Sequence, residues 1–108
     1  MVVDNEIYYS TYDGIRVESS SGNTFRDNFV RGSGHAGIKI YDGSGHVVDS
    51  NKIEDGHAEG IVNVGSNTVI TDNDLKDNRL DICNEGTIAT FNGNDFDTGG
   101  STTTCITY

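Results

Sequence analysis

One short phrase recurs five times along the chain, and this repeat constrains the fold more than any other feature of the sequence. Its pattern is apolar, any, any, Asn, any, apolar, and successive asparagines lie 23, 23, 22 and 21 residues apart. A fixed period of roughly 20–50 residues is the signature of a repeat architecture in which similar units stack. The five asparagines of the phrase are Asn5, Asn28, Asn51, Asn73 and Asn94.

A second phrase, Gly-Ile followed by alternating residues, begins nine residues after each of the first three asparagines, at Gly14, Gly37 and Gly60. In the shorter fourth repeat we take residues 79–82 as its equivalent. Period-two alternation between turn residues is typical of strands, and no window sustains a helical period. We therefore predict an all-β solenoid, a parallel β-helix of about five coils of 21–23 residues with three short strands per coil.

This architecture explains how a chain with only 33% hydrophobic residues can fold. A single coil cannot bury its apolar side chains, but stacked coils share one continuous core. Each inward residue is expected to lie on its counterpart in the next coil. One predicted column contains Ile15, Ile38 and Ile61, and another contains Ile7, Val30, Ile53, Leu75 and Phe96.

The repeated asparagines suit the corners of such coils. Asn tolerates the left-handed backbone conformation of a tight turn. Stacked asparagines can also bond amide to amide along the column, as they do in cross-β stacks. The Asn corner and the Gly-Ile strand resemble the right-handed parallel β-helix repeats of pectate-lyase-like proteins and of periplasmic NosD-type proteins, over essentially all 108 residues. The resemblance implies the fold and an extracellular or periplasmic location. It does not select a function, because that fold carries lyases, hydrolases, epimerases, tailspikes and modules without chemistry.

The chain is expected to form one domain over residues 1–108, with residues 97–108 as a C-terminal closing coil. Val2 already stands at a core position, so the chain is interpreted either as a piece of a longer β-helix or as a unit that stacks end to end on itself or on a neighbouring domain. Apolar runs are too short for a transmembrane helix, and no membrane insertion is expected.

Cys83 and Cys105 lie 22 residues apart, which is one coil. Stacking would bring their Cα atoms within the roughly 4.4–6.8 Å that a disulfide needs. We predict a disulfide, and with it an oxidising compartment; two buried free thiols in one column are the alternative.

Charge narrows the choice of partner. Seven basic residues stand against seventeen acidic ones, for a net charge of −10, which argues against a nucleic-acid partner. Acidic corners, among them Asp42 and the aspartates at 72–77 and 95–97, offer oxygen ligands for calcium. No EF-hand loop or glycine-rich nonapeptide array accompanies them, and neither a metal site nor a cofactor is predicted.

The outward column beside the second phrase reads Arg16, Lys39, Val62 and Asp81, next to corners that carry histidines, tyrosines and carboxylates. Cations, aromatic rings and proton-transfer groups together suit a sugar or sugar acid. The candidate glycan-binding residues are Tyr12, Asp13, Arg16, His35, Lys39, Tyr41 and Glu59. His46 and His57 fall at glycine-rich turns and share no metal-ligand spacing.

The sequence is compatible with three functions. The first is a polysaccharide-binding module of an extracellular or periplasmic protein. The second is a structural or self-assembling rod, such as a tailspike, fibre or spacer. The third is a polysaccharide lyase, hydrolase or epimerase, for which the sequence offers only fragments of a catalytic set.

Overall fold

The computed structural model describes residues 1–106, and within them the regular structure consists of thirteen short strands and no helix. The strands are β1 (Val2–Val3), β2 (Glu6–Tyr8), β3 (Ile15–Val17), β4 (Thr24–Arg26), β5 (Phe29–Arg31), β6 (Ile38–Ile40), β7 (Val47–Asp49), β8 (Lys52–Glu54), β9 (Glu59–Asn63), β10 (Thr68–Thr71), β11 (Asp74–Lys76), β12 (Leu80–Asn84) and β13 (Ile88–Asn92).

The strands form three parallel sheets, and each coil contributes one strand to each sheet. Sheet A contains β1, β4, β7, β10 and β13; sheet B contains β2, β5, β8 and β11; sheet C contains β3, β6, β9 and β12. This is a parallel β-helix with three strands per coil, as predicted. The predicted count of about five coils is slightly too high, since four coils are complete. The fifth has one strand, β13, followed up to residue 106 by only isolated bridges from Asp95 to Asp74 and from Gly99 to Ile82.

The core follows the predicted columns. Ile15 pairs with Ile38 and Ile38 with Ile61, while Ile7 pairs with Val30 on the second column. That column continues through Ile53 and Leu75, and the half-buried Phe96 packs against the same core. Stacking like on like thus gives a continuous apolar interior from few residues per coil.

The asparagine ladder is present. Along it, each Nδ2 donates to the Oδ1 of the asparagine in the next coil at 3.0 Å, from Asn5 through to Asn94. The backbone N–H of each asparagine donates to the same oxygen, at 2.9–3.1 Å. Our assignment of the left-handed conformation to Asn is wrong: the residue before it has the positive φ. Asp27, for example, has φ 58°. Asp also tolerates that conformation, which leaves Asn free to point its amide into the stack.

The fourth repeat is shifted by two residues from the predicted alignment. Ile82, not Leu80, pairs with Ile61, and Cys83, not Asp81, pairs with Val62. Asp81 therefore takes the place of Gly60 at the corner, where it is buried. Its carboxylate accepts hydrogen bonds from the Asn78 side chain and from backbone N–H groups of the fifth coil, so a corner without glycine is held by side-chain bonds.

Candidate functional site

Six of the seven candidate residues lie together on the first two coils, at and beside the outer face of sheet C. We call them the aromatic–cation patch: Tyr12, Asp13, Arg16, His35, Lys39 and Tyr41. Arg16 on β3 and Lys39 on β6 are outward residues paired across the ladder. The patch exists because these two strands alternate apolar-in and polar-out, with the ring of Tyr41 following β6.

Arg16 is the centre of this patch. Its Nη1 lies 3.3 Å from Asp13 Oδ2 and its Nη2 lies 3.5 Å from Glu18 Oε2. The guanidinium carbon stands 4.6 Å from the centre of the Tyr41 ring, and Lys39 Nζ stands 5.6 Å from the same ring. Desolvation lowers the pKa of Arg16, but the hydrogen bond to Asp13 and the charges of Glu18 and Asp13 together outweigh it and raise that pKa. Arg16 therefore remains a cation that is held in place.

A second aromatic pair lies at the preceding corners of the same two coils. The rings of Tyr12 and His35 are 5.5 Å apart and tilted by 55°, and Tyr12 is 70% exposed. Asp13 joins the two corners, because its Oδ1 accepts the backbone N–H of Ala36 at 3.0 Å. Exposed rings and a fixed guanidinium thus share one surface.

Glu59, the seventh candidate, does not belong to this surface. It lies on β9 with no exposed area, and its Oε2 accepts the backbone N–H of Ile106 at 2.7 Å. The predicted outward column also ends differently. Val62 and Cys83 follow Lys39 on the outer face, and both are buried. Asp81 is not a member of that column, because of the register shift in the fourth repeat.

The predicted disulfide is present. Cys83 and Cys105 are joined by an S–S bond of 2.06 Å, with their Cα atoms 5.1 Å apart. Both sulfurs and a Glu59 oxygen lie within 4.8 Å of one another, which is the one such group of three or more potential metal ligands found within residues 1–106. Because the sulfurs are bonded to each other, they are not available as thiolate ligands.

The histidines outside the patch have structural surroundings. His46 is fully buried, and its Nδ1 accepts the backbone N–H of Asn23 at 3.2 Å. Its Nε2 therefore carries the proton and donates to the carbonyl of Asp42 at 3.1 Å. Both nitrogens are occupied by the turns that they connect. His57 is exposed and lies at a turn.

Sequence reasoning missed a second outward cluster, on sheet B. The rings of Tyr8 and Phe29 meet edge to face at 5.6 Å, and Lys52 Nζ lies 5.7 Å from the Phe29 ring centre. Beside them Arg31 bonds Asp55 at 2.8 Å, which raises the pKa of Arg31. The sequence pattern could have revealed this cluster. Phe29 lies between the ladder residue Asn28 and the inward Val30, so its side chain points outward. These charges are largely paired with one another.

A family model described as right handed beta helix region matches residues 1–107. The chain belongs to the right-handed β-helix family. No curated protein and no solved structure matches it. Within the described part of this β-helix, no helix is long and apolar enough to cross a membrane.

Proposed function

We propose that this β-helix is a polysaccharide-binding module, and the observation that carries the proposal is the aromatic–cation patch. Sugar rings present apolar faces and hydroxyl edges. The exposed ring of Tyr12 and the ring of Tyr41 offer stacking surfaces, and the fixed Arg16 offers hydrogen-bond donors between them. Such a mixture of flat apolar groups and oriented polar groups is what recognition of a saccharide requires.

The charges favour a neutral polysaccharide over a polyuronate. Arg16 already pairs with Asp13 and Glu18, so little of its charge is left for a ligand carboxylate. A molecule with a net charge of −10 repels a polyanion at long range, more strongly at low salt. A carboxylate and a guanidinium held side by side can bind two neighbouring hydroxyl groups of a neutral sugar, one by accepting and the other by donating a hydrogen bond.

The same contacts support binding without turnover. A general acid or base must reach the proton that it transfers. Asp13 uses one oxygen for Arg16 and the other for the Ala36 N–H, and Glu59 is buried under Ile106. Asp13 and Glu59 are thus engaged as structural acceptors, while the exposed Glu18 is paired with Arg16.

We place this function outside the cytoplasm, in the extracellular space or the periplasm. The Cys83–Cys105 disulfide supports that location, because disulfides persist in oxidising compartments.

Removing the rings tests the proposal. The variants Tyr12→Ala and Tyr41→Ala, measured by calorimetric titration against a panel of neutral and uronate polysaccharides, are each expected to bind a neutral ligand about tenfold more weakly, since a stacked ring contributes on the order of 1 kcal/mol or more. Tyr9→Ala is the matched control, because Tyr9 is 71% exposed and follows a strand of sheet B. Equal affinity in all three variants, or tighter binding of polyuronates by the parent chain, would contradict the proposal.

The polarity of the asparagine ladder favours a second function, end-to-end self-assembly. Within the described residues, Oδ1 of Asn5 accepts no hydrogen bond, and the backbone N–H of Asn94 donates none. A second copy stacked head to tail would join these groups. It would also place Phe91 and Phe96 over the half-buried Val2 and Ile7, where the core ends. Overall dimensions of 27 × 26 × 24 Å give roughly 500 Å² per end, or about 1,000 Å² in total, which is the size of a weak, reversible interface.

In-register stacking places Asp95 of one copy over Glu6 of the next, which can be tested by cross-linking. Chains carrying Glu6→Cys and Asp95→Cys, mixed at high salt to screen the carboxylates of the parent chain, are expected to form disulfide-linked heterodimers. Glu6→Cys mixed with Asn92→Cys is the control, since Asn92 lies on sheet A. Equal yields from the two mixtures would rule out in-register stacking.

A further inference from the structure

The outer face of sheet C changes abruptly from open to covered. Arg16 is exposed and Lys39 is half-buried, but Val62 and Cys83, which occupy the same outward column on the next two coils, are 1% and 0% exposed. Outward residues of a solenoid ordinarily face water. Another part of the chain must therefore cover the outer face of sheet C at β9 and β12.

The cover is the segment of residues 101–106, which we call the C-terminal strap. Cys105 of the strap packs against a small apolar cluster that is separate from the solenoid core. This cluster contains the covered Val62 and Cys83 together with Ala36, Val64 and Leu80. The strap is thus packed on the sheet, with the disulfide as its covalent anchor.

Backbone bonds hold the rest of the strap. The Asn84 backbone N–H donates to the carbonyl of Thr103 at 2.8 Å, and Asn84 Nδ2 donates to the carbonyl of Ser101 at 3.0 Å. On the other side, the Cys105 N–H donates to Glu85 Oε2 at 2.8 Å. Apart from the disulfide, these anchors are single hydrogen bonds, each of modest net strength.

The course of the strap points towards the aromatic–cation patch. Cys105 lies beside Cys83 on β12, and Ile106 lies beside Glu59 on β9, one coil nearer to β6 and β3. The strap therefore covers the part of sheet C that continues directly from Lys39. The buried Glu59 carboxylate is held under its end.

We propose that the C-terminal strap is a disulfide-anchored cover that limits the length of saccharide the sheet C face can bind, and that reduction releases it. The proposal rests on the proposed glycan function. A dithiol reductant would cleave the S–S bond, become a cyclic disulfide and leave Cys83 and Cys105 as two thiols. Release uncovers Val62 and the Glu59 carboxylate over two further coils, which lengthens the face by about 10 Å. Glu59 can then accept hydrogen bonds from the hydroxyl groups of a neutral sugar.

Amide hydrogen exchange and oligosaccharide titration together test this. In reduced chain and in Cys83→Ala/Cys105→Ala, the amides of Cys105 and Ile106 should exchange at least about tenfold faster than in oxidised chain, because exchange reports local opening. Neutral hexasaccharides should bind about fivefold tighter and disaccharides equally, since only long ligands reach the uncovered face. Glu85→Gln, which keeps the disulfide and an amide oxygen acceptor, is the control and should behave as oxidised parent chain.

Ile106→Pro provides a second variant should the double alanine chain fail to fold. It removes the N–H that bonds Glu59 while leaving the disulfide intact, and should shift hexasaccharide affinity in the same direction. Unchanged exchange on reduction would overturn release of the strap. Faster exchange with unchanged hexasaccharide affinity would overturn its control of the site. Faster exchange with no saccharide bound by any form would show that the strap opens, but it would overturn both the glycan function and the proposed effect of the strap on saccharide length.

Discussion

At the scale of single residues, the ladder asparagines are the groups on which the stack depends. Nδ2 of Asn51 donates both to the carbonyl of Phe25 in the coil before and to Oδ1 of Asn73 in the coil after. Its own Oδ1 accepts the backbone and side-chain N–H groups of Asn28. Four polar groups in a buried environment thus depend on one side chain.

Asn51→Ala is therefore expected to lower the free energy of unfolding by about 2–4 kcal/mol, because buried partners on both sides lose their hydrogen bonds. Urea denaturation, with the midpoint and the slope both fitted, measures the loss. Asn5→Ala is the matched control. Asn5 is exposed at the end of the ladder and bonds a ladder neighbour on one side only, so its loss should cost about 1 kcal/mol or less. Equal losses at the two positions would show that the ladder does not stabilise the stack.

These residues also show what local patterns can predict. The spacing predicted the Asn51 column, because a hydrogen-bonded stack requires one asparagine per coil. The position of the left-handed residue was not predictable in the same way, because both members of each Asp-Asn pair suit that conformation. Stacking decides which residue adopts the left-handed conformation. The amide of Asn28 is buried in the ladder, so Asp27 forms the corner, with φ 58°.

At the scale of strands, register was predictable only where turn chemistry repeats. β3, β6 and β9 align through their common Gly-Ile phrase, but β12 lacks the glycine, and its alignment is set by the buried Asp81. The covering of Val62 was also missed. An apolar residue at an outward position was a signal, but the path of the strap depends on contacts between distant residues such as Ile106 and Glu59.

A substitution under the strap tests this account of the outer face. Val62→Lys introduces into the covered position the residue type that stands at Lys39, and should lower the free energy of unfolding by about 2–3 kcal/mol, since a buried ammonium must either lose its water or displace the strap. Thermal denaturation of oxidised chain measures the effect. Val47→Lys, at a half-buried outward position of sheet A, should change stability far less. A similar loss in both variants would mean that the strap does not cover Val62 in solution.

At the scale of the whole molecule, the sequence period determined the architecture but overestimated its length. The fifth repeat carries Asn94 and Phe96, yet between β13 and residue 106 the chain makes only isolated bridges and then leaves the stack to form the strap. The patch could be predicted in part. Six of the seven candidate residues share a surface because they lie at equivalent positions of two adjacent coils. Glu59 does not, because it is buried and bonded to the backbone of Ile106.

The position of the disulfide also makes the two ends of the stack unequal in kinetics. Each strand pairs only with strands about one repeat away, so the mean separation of contacts is about a fifth of the chain, in the range of slow-folding β proteins. The strap is joined to β12 through the Cys83–Cys105 disulfide and to β9 through the hydrogen bond from Ile106 to Glu59. Among the described strands, β1, β2 and β3 of the first coil each have a strand partner on one side only and no such cover. Unfolding is thus expected to run as a zipper that opens from the first coil, with the strapped coils as the last cooperative unit to separate.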